Sequence, residues 1–199
     1  MEVNNTFYRF PKDENLESWR DTVPKDFLFT LKGSWYVSHM KKLKEVKESV
    51  QKFSDAAHLL KSKLGCILWQ LPPNLHRNDE KLDQFCKDLD SKDKNVIEFR
   101  HESWYDEGVY EILSKHDVSF CAISSPDFSE EMITTNQTGY LRFHGKGKKW
   151  YDYLYSAKEL EEWYQKIQKK DLKEIYIYFN NDIHANAPKN AMQLKELFE

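Results

Sequence analysis

Cysteine is scarce in this chain: 199 residues hold three, Cys66, Cys86 and Cys121, odd in number and far apart. Without a CxxC pair, neither a zinc knuckle nor a disulfide framework is indicated, and the two that sit in apolar runs read as buried free thiols. No stretch approaches membrane-spanning length, and Met1 to Phe10 lacks the basic and apolar blocks of a signal peptide. The expected compartment is therefore the cytoplasm, with no membrane partner. Asn4-Asn5-Thr6 and Asn136-Gln137-Thr138 match a glycosylation pattern that carries no weight without secretion. An excess of one charge is missing too. The formal net charge is -3, which argues against a nucleic-acid binder held by global positive charge and leaves a local basic patch open. GxGxxG, Walker and GxSxG patterns are absent, removing the usual dinucleotide, nucleoside-triphosphate and serine-hydrolase readings.

What is present is an apolar fraction of 40% and an aromatic fraction of 15%, enough for a globular core. No repeat, low-complexity linker or composition shift interrupts the chain, so one domain over 1–199 is expected. Strand-like runs, rich in Val, Ile, Phe and Tyr, fall at Glu2–Tyr8, Phe27–Lys32, Cys66–Leu71, Asn95–Arg100, Val118–Ser124, Gly139–His144 and Glu174–Asn180. Helical stripes lie between them. Leu43, Val46, Val50, Phe53, Ala57, Leu60 and Leu64 step by three and four, predicting one face of a long helix. A coiled-coil partner would give the same stripe, although a helix packing on its own sheet is the commoner cause. Shorter stripes follow at Leu82–Leu89, Val109–Leu113, Leu160–Ile167 and Leu194–Phe198, and Pro188 suits the first turn of a last helix. Ser124 to Thr138 shows no apolar period and reads as a long crossing loop with room for one helical turn.

Alternating strands and helices imply a parallel α/β sheet, closed as a barrel or open and doubly wound. Side-chain parity bears on that choice. Asn4, Thr6 and Tyr8 share a face, as do Thr30 and Lys32, Glu98 and Arg100, Arg142 and His144, and Tyr176, Tyr178 and Asn180; Gln70 ends its own strand. Each set is backed by apolar neighbours. An open sheet covered on both sides would read as continuous apolar runs, so a (β/α) barrel fits better, with polar groups gathered at the C-terminal strand ends where such barrels place their sites. Ion pairs that merely fill the lumen remain the competing account, above all for Glu98 with Arg100 or Arg142.

Five ordered blocks carry a family resemblance: Val3-Asn4-Asn5-Thr6-Phe7-Tyr8, Leu68-Trp69-Gln70-Leu71-Pro72-Pro73, Glu98-Phe99-Arg100-His101-Glu102-Ser103-Trp104, Leu141-Arg142-Phe143-His144-Gly145 and Tyr178-Phe179-Asn180-Asn181-Asp182. The chain resembles the YecE-like family, domain of unknown function 72, over its whole length. The resemblance implies a TIM-type (β/α) barrel and no particular activity, because the family's function is not established. Members usually carry a further N-terminal strand and helix. Their absence here implies seven strands and an incomplete or open barrel, with a seam between Glu2–Tyr8 and Glu174–Asn180 that predicts a gap, an exposed edge, a homodimer across it, or a truncated gene product.

For chemistry, Glu98, His144 and Asp182 are the candidate general acids and bases. Asn4, Thr6, Tyr8, Lys32, Gln70, Arg100, His101, Trp104, Arg142, Asn180 and Asn181 are the candidate substrate contacts. Lys32, Arg100 and Arg142 suit a phosphate or carboxylate, Asn180 and Gln70 suit hydroxyl or base-edge recognition, and Tyr8 and Trp104 suit stacking on a sugar or nucleobase. The expected ligand is a small anionic, phosphate-containing substrate, with nucleic acid as an alternative; a non-catalytic binding module on the same mouth is the rival reading. No metal set is assigned, because no HxH or HExxH spacing exists, and His39, His58, His76 and His116 look incidental. Lys146-Gly147-Lys148-Lys149-Trp150-Tyr151 interleaves basic and aromatic residues, as a phosphate-and-base contact would, but a solvated lysine loop anchored by its aromatic is the plainer account.

Overall fold

A computed structural model describes residues 1–128 and 130–199. Its seven strands are hydrogen-bonded in chain order, β1-β2-β3-β4-β5-β6-β7, so that β1 and β7 are the two ends of that order. Strands alternate with helices, giving an α/β fold of the TIM-barrel type with seven strands, as the strand count and parity predict. The chain divides into two compact units, Met1–Ser119 and Phe120–Glu199.

In the first unit β1 (Glu2–Val3), β2 (Phe29–Lys32), β3 (Leu64–Gln70) and β4 (Asn95–Glu98) pair in parallel, with Lys32 opposite Leu68 and Gln70 opposite Glu98. The outward parity of β3 holds. Ile67 and Trp69 are fully buried, and the Trp69 ring lies 5.5 Å from Phe53 and 5.6 Å from Phe85. Gly33 follows β2 because nothing larger fits: a Cβ there would lie 2.3 Å from the Trp69 ring.

Three expectations need correcting in this unit. The first strand stops at Val3, and Asn5–Tyr8 closes into one turn of helix, α1. Thr6 explains why: its buried hydroxyl reaches the carbonyls of Val3 at 3.0 Å and Lys32 at 2.8 Å, a local bonding option that competes with the ladder. The long helix is also shorter than its stripe. Val46 to Leu60 are buried where the period places them, but Leu43 and Glu45 take positive φ, so α3 is Lys47–Ala57. A 3-10 segment, His58–Lys63, then leads straight into β3. Finally, α2 (Asp13–Thr22) has no counterpart in the sequence reading, because Leu16 is its one fully buried residue and gives no period to see. α4 (Asp79–Asp88) and α5 (Glu107–Lys115) stand where expected, each started by an aspartate or asparagine cap.

The second unit holds all but the first residue of β5 (Ser119–Ser124), then β6 (Thr138–Phe143), α6 (Ala157–Gln168), β7 (Glu174–Phe179) and α7 (Asn186–Glu196), with β5–β6 and β6–β7 parallel. Its core is Leu141, Phe143, Tyr155, Leu160, Trp163, Ile167 and Leu194. Burial of each large side chain contributes about 1.5–3 kcal/mol, which fixes α6 on β6. A reciprocal capping box, Ser156 with Glu159, starts α6. The crossing segment between β5 and β6 shows turns and no helix among its described residues, and Thr135 returns to accept the Phe120 N–H at 2.9 Å. All three cysteines are buried and free, and burial pushes the Cys86 thiol up to about 12, so that Cys86 stays a thiol at neutral pH. No helix among the described residues is long and apolar enough to cross a membrane.

Candidate functional site

In the Met1–Ser119 unit, polar groups gather at the C-terminal ends of β2 and β4. Lys32 is 8% exposed and Glu98 fully buried. Glu98 forms an ion pair with Arg100, two residues past the end of β4. The Lys32 ammonium lies 4.3 Å from the centre of the Phe7 ring. Beyond β2 the chain makes a five-residue π-helical turn, Tyr36–Met40, a rare conformation that concentrates at functional sites. It delivers His39, whose ring meets Phe7 edge-on at 5.0 Å and whose Nδ1 lies 2.9 Å from the Ser38 hydroxyl. Burial, with the charges of Lys32 and then Arg100, lowers the His39 imidazole to about 4. It is therefore neutral at pH 7 inside a positive field.

Around this group stand exposed rings. Tyr8 is 77% exposed, and Trp35 and Tyr36 each about 40%. After β4, His101 bonds Ser103 through Nδ1 and lies 3.9 Å, centre to centre, from His76.

In the Phe120–Glu199 unit the same strand ends carry Arg142, 3% exposed, and His144, 1% exposed. The His144 ring lies 5.3 Å from Trp150 and 5.6 Å from Tyr151. Buried Tyr155 ties this end together: its hydroxyl donates to Ser124 Oγ at 2.9 Å and accepts the Gly145 N–H at 2.9 Å. Burial, first of several causes, raises its phenol well above the usual value. Asn181 donates to the Tyr153 carbonyl and to Asn190 Oδ1. The buried oxygens Ser125 Oγ, Asn180 Oδ1 and Asn181 Oδ1 have no hydrogen-bond partner among the described residues.

With both strand-end clusters in view, comparison with known proteins is direct: the pattern of the family described as Protein of unknown function DUF72 matches residues 1–199. The chain belongs to the DUF72 family. It is 25% identical to the UPF0759 protein YunF of Bacillus subtilis (strain 168), covering all of this chain and 83% of that protein. A DUF72 protein of Thermotoga maritima MSB8, TM1631, superposes with a TM-score of 0.88 at 31% identity, over 99% of this chain and 83% of the other. Another, EF0366 of Enterococcus faecalis V583, gives 0.82 at 22% identity over 99% and 88%, which speaks to the fold alone.

Placed on this DUF72 fold, the predicted site residues separate. Lys32, Glu98, Arg100 and His101 stand at the strand ends of the first unit, with half-buried Gln70 ending β3 opposite Glu98. Arg142, His144, Asn180 and Asn181 stand at the strand ends of the second. Thr6 is taken up by backbone carbonyls, and Asn4 is exposed beside it. Trp104 corrects the stacking expectation. It is fully buried, its N–H is donated to the Leu75 carbonyl at 2.7 Å, and its ring stacks on Phe99, so no face is open to a ligand. Asp182 is exposed ahead of a 3-10 turn. The lysine loop follows the plainer account in part: Lys146 pairs with Glu130 at 2.8 Å and Glu159 at 3.3 Å, and the Trp150 indole anchors on Asp127.

Trp35 escaped the sequence reading, and His39 and His76 were read there as incidental. A π-helical turn has no short sequence signature, so His39 looked like a helix or loop residue. Gly33 next to Ser34, directly after β2, was the available signal that the chain turns over the strand end there.

Proposed function

We propose that the protein is an enzyme using acid–base chemistry on an anionic, phosphate-containing substrate held at the C-terminal strand ends. The observation that carries this reading is the gathering of buried Lys32 with His39 and Arg100 at the strand ends, where His39 is lowered first by burial and then by the charges of Lys32 and Arg100. The same field that repels a proton from His39 attracts an anion. A bound phosphate offsets the charge contribution of Lys32 and Arg100, though not that of burial, and so moves His39 part of the way back toward the range where an imidazole works best as a general acid or base. Substrate thus tunes the group it needs. Glu98 orients Arg100 through their ion pair and is the proposed second proton carrier. In the Phe120–Glu199 unit, His144 and Asp182 keep the role of proposed acid–base groups, and Arg142, Asn180 and Asn181 that of proposed ligand contacts.

A nucleotide or nucleic-acid strand is the substrate form favoured by one further observation: Tyr8, Trp35 and Tyr36 offer exposed rings around the cationic group, the combination that stacks bases while holding phosphate. The non-catalytic binding module is the rival reading, favoured by the Glu98–Arg100 ion pair, which already occupies the buried carboxylate.

A thermal-shift screen of phosphorylated sugars, nucleotides and oligonucleotides, followed by incubation of each stabilising ligand, separates them. The enzyme reading expects a ligand that raises the melting temperature and is consumed, with consumption abolished in Glu98→Gln while binding persists. A ligand that binds and is never consumed establishes the module. If no anion stabilises the protein or raises His39, both readings fall.

A further inference from the structure

At the opposite, N-terminal ends of β3 and β4, His58, Asp90 and Asp93 come together, with one ligand atom from each lying within 4.8 Å of the others. The fold builds this group from three pieces. His58 caps the C-terminus of α3, where the helix tightens into the 3-10 segment. Asp90 and Asp93 begin and end the turn that feeds β4, closed by the Asp93 N–H on the Asp90 carbonyl at 3.1 Å. Asn95 braces that turn from below. Its amide donates to the carbonyls of Asp90 (2.9 Å) and Asp93 (3.2 Å), while its Oδ1 accepts the Trp69 indole N–H. The two carboxylates are thus held on a turn tied into the core.

The Asp93 side chain is 3% exposed, and His58 Nε2 lies 2.7 Å from its Oδ1. The other oxygen, Oδ2, is buried and has no partner among the described residues. A buried carboxylate oxygen without a donor is costly, and Asp93 lines a cavity of about 380 Å³ together with His58, Lys61, Leu64, Gly65, Lys92 and Lys94. A cation supplies what Oδ2 lacks.

We propose that His58, Asp90 and Asp93 form a site for one divalent transition-metal ion. One imidazole nitrogen and two carboxylates are a donor set that suits Zn²⁺ or Mn²⁺, and three protein ligands leave coordination positions open to the cavity. Ligation through His58 Nε2 replaces the hydrogen bond to Asp93, and the Nε2 proton moves to Nδ1 or to solvent. Lys61 and Lys92 on the rim then favour an anion as the outer ligand of the metal. This site is separate from the strand-end clusters and does not depend on their function.

The test uses the full chain, treated with chelator and dialysed, and titrated with Co²⁺ as a spectroscopic probe and with Zn²⁺ and Mn²⁺ by calorimetry. One ion per chain is expected, with affinity falling at least about tenfold in His58→Gln and in Asp90→Asn. The Asp93 side chain is 3% exposed, so the Asp90 variant guards against loss of the fold in Asp93→Asn. A His76→Gln/His101→Gln variant is expected to retain the site. Absence of saturable binding by the unaltered chain overturns the proposal, as does unchanged affinity in the His58 and Asp90 variants. Stabilisation by inorganic phosphate without metal, lost in Lys61→Ala/Lys92→Ala, replaces the cation with an anion and also overturns it.

Discussion

Lys32 and Phe7 meet where β1 and β2 end: the ammonium lies 4.3 Å from the ring centre, and Thr6, the residue before Phe7, bonds the Lys32 carbonyl at 2.8 Å. A buried lysine is thereby positioned from both ends, its backbone by a hydroxyl and its charge by an aromatic face. Desolvated cation–π contacts contribute about 0.5–2 kcal/mol. Phe7→Leu, which keeps the apolar volume and removes the ring, is expected to lower the urea midpoint by an equivalent amount, while Phe7→Tyr keeps most of it. Equal losses in the two variants would assign the effect to packing.

Gly33 is the second expectation. Trp69 is wedged between Phe53 and Phe85 and its indole N–H is held by Asn95, so the ring has nowhere to go when a methyl arrives 2.3 Å away. Gly33→Ala is expected to cost roughly 1–3 kcal/mol of stability, the range for overpacked cores. A Gly33→Ala/Trp69→Phe double variant recovers part of that loss. Strict additivity of the two single losses in urea unfolding would show that the clash is relieved elsewhere.

Much of this fold could be read from parity and period, because both report burial, and burial is what the chain obeys. Ile67 and Trp69 pack against the helices as their alternation requires, and Leu82, Phe85, Val109, Leu113, Leu160 and Trp163 are buried where their stripes place them. Termination was harder to read, since it depends on local hydrogen bonds and backbone sign. Thr6 ends the first strand early, and the positive φ of Leu43, Glu45 and Lys61 divides the expected long helix from its flanks. The strand-end residues Lys32, Glu98, Arg142 and His144 were legible because polar groups on a buried face stand out. His39 and the group of His58, Asp90 and Asp93 were not, because each depends on contacts between distant segments that spacing does not encode.

His39 gives a pH dependence with a definite sign. Its folded value of about 4 lies below the ordinary 6.5, so between these values the unfolded chain takes up a proton that the folded chain refuses. Its contribution to stability is complete above about 6.5 and is lost as pH falls toward 4. His39→Gln is expected to flatten this part of the stability profile, measured by urea unfolding across pH 4 to 7. Lys32→Met and Arg100→Met should raise His39 in an NMR titration, Lys32→Met by more. Burial is the larger cause of the lowering, so a His39 resonance that does not move in either variant would remove the positive field on which the anion reading stands.

Glu159 predicts how the loop after β6 responds to acid. Burial works against its charge, but the Tyr153 hydroxyl at 2.7 Å, the Ser156 N–H and hydroxyl at 2.8 Å each, and Lys146 at 3.3 Å overcome that penalty and bring the carboxyl down to about 2. A folded value below the ordinary 4.5 means that its stabilisation is fully present above about 4.5 and is lost as pH falls toward 2, the reverse of what a histidine gaining a partner would show. The partners are partly exposed, so solvent screening reduces the size of the effect but not its direction. Because Glu159 closes the α6 capping box and also holds Lys146 and Tyr153, its protonation should loosen residues 145–156 before the sheet unfolds. Hydrogen exchange at pH 3 is expected to show faster exchange in that segment than in β6 or α6 beyond its first turn. Glu159→Gln should reproduce the loosening at pH 7. Equal protection of loop and sheet at pH 3 would show that the carboxyl does not hold the loop.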